Sequence, residues 1–268
     1  MIDVNIQYQL PTTEAMTTPQ TVKTSYIQVN DITYAYRKLG ESAGGFPLLI
    51  LHHFRAPMDV WDPLFISLLA AQREVILFDN AGVGKSTGEV PDSIKGMTSH
   101  VVNFLIALKL SQVDIYGFSM GGYIAQQLVL DHPDMVHKLV LSGTGPGVGL
   151  ENPNIAAPNS AEVKKLATSA EGPKFEAMRT LFFYPTESSR AAAAEWWARV
   201  HGRTNDTSGE ERSKFVTGAG LKAMGTALGK WKSGEGRSCI ERIYFTEFLL
   251  LIVQQARTVD CMRSSAPS

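Results

Sequence analysis

Cysteine is scarce in this chain: Cys239 and Cys261 are the two among 268 residues. They lack metal-ligand spacing and are too few for a disulfide framework, so both read as free thiols in a reducing compartment, and no metal is expected. A surplus of either charge is also missing. Lys and Arg number 25 against 26 Asp and Glu, a net charge of −1, which gives neither nucleic acid nor an anionic membrane a reason to bind. The longest apolar run, Phe248–Val253, is far too short to span a bilayer. The opening stretch MIDVNIQYQLPTTEAMTTPQ has neither the basic start nor the apolar core of a secretory signal. A cytoplasmic protein is expected, and oligomeric state leaves no trace in the sequence. Histidine also stops early: His52, His53, His100, His132, His137 and His201 are the six, and none follows residue 201.

What is present is alternation. Ser25–Val29 and Ile32–Tyr36 read as paired strands joined by a turn at Asn30-Asp31. Phe46–His52 and Glu74–Asp79 are continuous apolar runs, which suit strands covered on both faces of a parallel sheet. Helical spacing is expected over Met58–Ala71 and Ser93–Leu110, and a further strand over Lys138–Ser142. Strands alternating with helices argue for a parallel, helix-covered sheet. After Gly149 the pattern changes to helical stretches alone: Ala161–Ala170, Pro173–Phe183, Ser188–His201 and Glu210–Lys230. The expected organisation is a loose leader over 1–22, an α/β core over 23–149, a helical cap over 150–234 and an atypical tail over 235–268.

The densest signal is Val113–Gln127, VDIYGFSMGGYIAQQ. A β-branched run leads into Gly117-Phe118-Ser119-Met120-Gly121-Gly122, and a helical pattern follows at once. Strand, glycine-flanked serine and helix are the context of a G-x-S-x-G nucleophile elbow. Flanking glycines remove the Cβ clashes that would forbid so sharp a turn. The free N–H groups at the helix start favour an oxyanion formed beside Ser119.

Over residues 22–235 the chain resembles the α/β-hydrolases with a helical cap, similar to esterase, perhydrolase and haloperoxidase-like members. Three motifs carry the resemblance: the elbow; Leu51-His52-His53-Phe54-Arg55, at the place of the family's His-Gly-x-x loop; and Asp79-Asn80-Ala81-Gly82-Val83-Gly84-Lys85-Ser86, similar to its D-x-x-G-x-G-x-S turn. The resemblance implies Ser119 as nucleophile and the backbone N–H groups of Phe54 and Met120 as oxyanion donors. It implies a small-molecule substrate and no cofactor. His53 stands where the family usually has glycine. The third motif has a rival, a phosphate-binding loop at Gly84-Lys85-Ser86. That pattern wants glycine where Asp79 stands, and a helix opening at Lys85, where Gly88 and Pro91 intervene.

A serine hydroxyl needs a general base and a group that orients the base. The family order is Ser, then Asp or Glu, then His, and this chain has no histidine in the last position. The stretch 235–268 is shorter than the roughly 50 residues that two strands, two helices and their loops require. It carries no Gly-x-x-Asp or Gly-His signal. The last strands of the fold are therefore expected to be missing, through a frameshift, mis-splicing or truncation near residue 235, with the strand at 138–142 left as an edge unless Phe245–Val253 covers it. His53 and His201 are substitutes for the base, with His132 and His137 behind them, and Asp260 is a candidate acid. Leu181–Tyr184 and Trp196-Trp197 either line an apolar pocket or pack the cap. Arg55 either meets a substrate carboxylate or is a solvated loop residue. Two functions follow: a serine hydrolase of small, fairly apolar esters or related acyl compounds, or a catalytically impaired relative that binds small molecules. Haloalkane dehalogenation is disfavoured, because Ser119 stands where that chemistry uses aspartate.

Overall fold

The structure, a computed structural model, describes residues 18–42, 44–145, 169, 172–204, 208–235 and 250–253. Seven strands form one sheet: β1 (Ser25–Val29), β2 (Ile32–Leu39), β3 (Leu48–Leu51), β4 (Val75–Phe78), β5 (Val113–Phe118), β6 (Val136–Ser142) and β7 (Leu250–Val253), in the order β1-β2-β4-β3-β5-β6-β7. β1 and β2 form the expected hairpin, and β2 joins β4 antiparallel; from β4 to β7 all pairs are parallel.

The apolar runs are continuous because both faces are covered. All four residues of β3 and of β4 are buried. Leu49, Leu51, Ile76 and Phe78 pack with Val101, Phe104 and Leu105 of α2 (Ile94–Ala107) and Ile124 and Leu128 of α3 (Met120–Asp131). The alternate residues Leu48, Ile50, Val75 and Leu77 pack with Ile66 and Ala70 of α1 (Pro63–Ala70). The period of two thus sorts each strand's side chains between two helix layers.

Three sequence expectations change, and the condition set on the strand at 138–142, that Phe245–Val253 cover it, is met. The helix expected over 58–71 divides into a single 3-10 turn, Met58–Val60, and α1. Pro63 cannot sit inside a helix, but it suits the first turn, and Asp62 caps that turn by accepting the Leu64 N–H at 3.0 Å. The helix expected from Glu210 starts only at Gly218, as α6 (Gly218–Lys230), after α4 (Phe175–Phe182) and α5 (Glu187–Val200). The strand at 136–142 is not the sheet edge, because Leu250–Val253 pairs with it in parallel from Leu139↔Leu250 to Ser142↔Val253. Residues 18–22, assigned to a loose leader, are held: Arg203 Nη1 donates to the carbonyls of Pro19, Gln20 and Val22 at 2.9, 3.1 and 2.8 Å. Residues 1–17, the helix expected over 161–170 apart from Ser169, both cysteines and Asp260 lie outside the described residues.

Charges explain why 209–217 stays irregular. Asp59, after β3, binds Arg37 of β2 at 2.5 Å and accepts the Ser213 N–H at 2.8 Å; Arg203 lies 3.5 Å from it. Glu210 takes Thr24 Oγ1 at 2.5 Å, Arg203 at 3.0 Å and Lys85 at 3.0 Å. Arg37 and Arg203 are buried, so this pairing is obligatory: a buried charge without a partner is strongly destabilising.

Candidate active site

Ser119 sits between β5 and α3 with φ 53° and ψ −115°, a backbone region that side-chain-bearing residues rarely enter. Its N–H donates to Ser142 O at 2.9 Å, and its own carbonyl accepts the Gly122 N–H at 2.9 Å. The turn is tight enough that Gly121 has no space for a side chain. A Cβ there would fall 2.5 Å from the carbonyl carbon of Leu51 and 2.8 Å from His52 O. That close approach sets the start of α3 against the end of β3, where Leu51 pairs with Gly117. The loop carrying Phe54 therefore leaves the sheet beside the elbow. Met120 is the first residue of α3, so its N–H is among the four with no partner inside the helix. Ser119 is half-buried.

His53 faces this turn. Its ring meets Phe118 at 5.6 Å and Phe182 at 5.5 Å between centroids, both edge-on. Its Nδ1 lies 3.0 Å from Phe54 O. A carbonyl only accepts, so Nδ1 carries the proton and Nε2 the lone pair. Burial drives the His53 pKa down to about 4, against the partial support of the Phe54 carbonyl, so the ring is neutral at physiological pH. His52 goes lower, to about 3, through burial first and its His53 neighbour second. Trp61 Nε1–H donates to its Nδ1.

The other histidines sit elsewhere. His100, on α2, bonds the Tyr34 hydroxyl at 2.6 Å. His132 ends α3. His137, near the start of β6 and so at the opposite strand ends from Ser119, pairs with Asp114 at 2.7 Å. His201 caps α5, its Nδ1 2.8 Å from Trp197 O and its ring tilted against Trp197 at 4.1 Å between centroids. Among the described residues, His53 is the histidine that lines both cavities at the elbow, one with Met120 and the other with Phe118; His52 lines only the first.

Two cavities open at the elbow, one lined by Met120 and the other by Phe118, the residues on either side of Ser119. One, of about 30 Å³, is lined by Leu51, His53, Phe78, Val90, Met120 and Met224 among others. The second, of about 230 Å³, is aromatic: Trp61, Phe65, Tyr116 and Phe118 come from the sheet side, and Phe182, Phe183 and Trp196 from α4, the residue after it and α5. The clusters expected at 181–184 and 196–197 thus divide, because Trp197 packs instead on Phe175 and His201, and Tyr184 is exposed. Tyr116 and Phe118 reach this cavity together because their spacing of two places them on one face of β5. Asp62, at the rim of the aromatic cavity, is held by Arg199 of α5 through two bonds of 2.9 and 2.8 Å.

Arg55 is neither solvated nor open to a substrate. It is buried at φ 68°, its Nε donates to Val216 O at 2.7 Å, and its N–H meets Met224 Sδ at 3.2 Å. It ties the loop after β3 to α6. The glycine-rich turn after β4 is equally committed to the fold. The Asp79 carboxylate accepts the Met58 N–H at 2.7 Å and the Lys85 N–H at 3.0 Å, and the next helix opens only at Ile94. Burial, opposed by those two donors, pushes the Asp79 pKa up to about 7. A phosphate would find the Lys85 N–H occupied and Lys85 Nζ paired with Glu210.

Residues 47–229 match the family model described as alpha/beta hydrolase fold. The chain belongs to that family. Among solved structures it is similar to an alpha/beta hydrolase fold protein from Chitinophaga pinensis, at 28% identity and TM-score 0.70, covering 88% of this chain and 90% of that one. The esterase RhEst1 from Rhodococcus sp. ECU1013 shares the fold at 18% identity and TM-score 0.60, with 87% and 80% covered. In sequence, a poly(3-hydroxyalkanoate) depolymerase of Ectopseudomonas oleovorans is 39% identical over 102 residues, 38% of this chain and 36% of that protein. A 2-hydroxymuconate semialdehyde hydrolase of Pseudomonas sp. (strain CF600) is 36% identical over 110 residues, 40% and 39% of the two chains. The matched stretches thus span under half the length of these curated relatives. No helix among the described residues is long and apolar enough to cross a membrane.

Proposed function

We propose that this member of the alpha/beta hydrolase fold family hydrolyses small, fairly apolar esters or related acyl compounds through an acyl-enzyme on Ser119. The observation that carries the reading is the backbone of Ser119, held at φ 53° and ψ −115° at the start of α3. Strain of this kind costs of order 1–3 kcal/mol and persists where surrounding structure enforces it, as it does at reactive residues. The relatives named depolymerase and hydrolase support hydrolysis as the reaction class.

In this mechanism Ser119 Oγ attacks the substrate carbonyl carbon, and its proton passes to His53 Nε2. The N–H groups of Phe54 and Met120 receive the oxyanion; one such donor contributes about 3–4 kcal/mol to the lowered barrier. Collapse of the tetrahedral species expels the alcohol, which leaves with the proton from His53. Water then attacks the acyl-enzyme by the same path and releases the acid. The aromatic cavity supports an apolar substrate. The scarcity of cysteine supports a cytoplasmic site of action, which cell fractionation tests by finding the chain in the soluble fraction or elsewhere.

One observation favours a second reading. A histidine with a pKa of about 4 is a weak base, which leaves Ser119 unactivated if the chain is a small-molecule-binding relative. A fluorophosphonate probe separates the two. Labelling that vanishes in Ser119→Ala supports the hydrolase; absence of labelling in the folded protein refutes it.

A further inference from the structure

The two cavities that meet at His53, one reaching Met120 and the other Phe118, differ several-fold in size, about 30 and 230 Å³. One water-sized occupant needs about 10–15 Å³, so the smaller space admits about two or three small atoms. The larger is lined mainly by rings, and its one carboxylate, Asp62, is already engaged by Arg199. It therefore suits a neutral, ring-bearing group.

Beyond the small cavity lies an open groove of about 750 Å³, lined by Gly82, Lys85, Gly88, Phe215, Thr217 and Gly220 among others. Val90 is the residue that lines both spaces. Its side chain is clamped between the turn after β4 and α6: a Cβ on Gly82 or Gly220 would come within 2.9 or 3.0 Å of Val90 Cγ2. Those two glycines let Val90 fill the gap between the turn and the helix, so one half-buried isopropyl group closes the small cavity.

We infer that Val90 determines specificity by limiting the short half of the substrate to about two or three heavy atoms beyond the reacting carbon, while the aromatic cavity holds a neutral ring on the other side. This rests on the reading of Ser119 as the nucleophile. Esters with one short and one ring-bearing half are the class selected, and a long chain is refused because Val90 bars it from the groove.

The test compares 2-naphthyl acetate with 2-naphthyl octanoate. Wild type prefers the acetate in kcat/KM by about 10- to 100-fold. Val90→Ala opens the wall and removes most of that preference, chiefly by raising kcat/KM for the octanoate. Val90→Thr, of the same shape, retains the preference. A binding arm does not depend on catalysis: in Ser119→Ala, methyl 2-naphthyl ketone and heptyl 2-naphthyl ketone are titrated by quenching of Trp61 and Trp196 fluorescence. Tighter binding of the short ketone, relieved by Val90→Ala, supports the wall even if the wild type cleaves no ester, in which case only the hydrolase reading falls. Equal treatment of long and short ligands by the chain with Val90 intact overturns the inference however the Val90→Ala variant folds. So does a length preference that survives in folded Val90→Ala.

Discussion

Replacing Gly121 by alanine tests the link between the elbow and the loop after β3. The added methyl carbon would lie 2.5 Å from the Leu51 carbonyl carbon and 2.8 Å from His52 O, where ordinary contact begins at 3.4 Å. All of these neighbours are backbone, so no flexible side chain can swing aside. The start of α3 and the end of β3 must separate by about 1 Å, because packed interiors do not absorb such overlap. Overpacking of this kind costs about 1–3 kcal/mol, a fall in Tm of several degrees at roughly 2–4 °C per kcal/mol. The same displacement pulls Met120 N–H away from the Phe54 loop. A misplacement of about 1 Å costs on the order of 100-fold in rate, equivalent to about 2.7 kcal/mol in the barrier. Fluorophosphonate labelling followed in time gives the rate, and thermal unfolding by circular dichroism gives the stability. A Gly121→Ala protein with unchanged Tm and unchanged labelling rate would refute the argument that this approach positions the oxyanion donors.

Two further outcomes follow from the charges that join the 203–213 segment to the sheet. Asp59→Ala leaves Arg37 and Arg203 buried without their shared carboxylate and is expected to cost about 3–5 kcal/mol in urea unfolding; a loss below about 1 kcal/mol would mean that water reaches the pair. Glu210 is held down to about 2: partial burial pushes it upward, and the Thr24 and Lys85 bonds outweigh that effect. Its folded-state pKa lies below the unfolded value, so its contribution is present above pH ~4.5 and is lost as pH falls toward 2. Wild type should therefore lose stability over that window faster than Glu210→Gln, and parallel curves would contradict the assignment.

Much of the fold was legible because its signals are local. The apolar runs at 48–51 and 75–78, the hairpin at Asn30-Asp31 and the strand–serine–helix sequence around Ser119 each declare themselves within a dozen residues, through periodicity, turn chemistry or glycine. Where the reading slipped, a local rule had been outweighed or overlooked. Pro63 divided an expected helix by a rule visible in the sequence. Residues 210–217 failed to become helix because distant Asp59, Thr24 and Arg55 had claimed their polar groups.

By itself, then, the sequence determined the family, the elbow and the two covering layers, since each is written in spacing along one short stretch. The tertiary structure decided which histidine packs on Phe118 of the elbow, that Arg55 is a buried strut, that Leu250–Val253 adds a strand beside β6, and that one valine divides a small cavity from a groove. Those facts depend on contacts between residues far apart in the chain, set by the close packing of the whole, and such contacts leave no periodicity in the sequence.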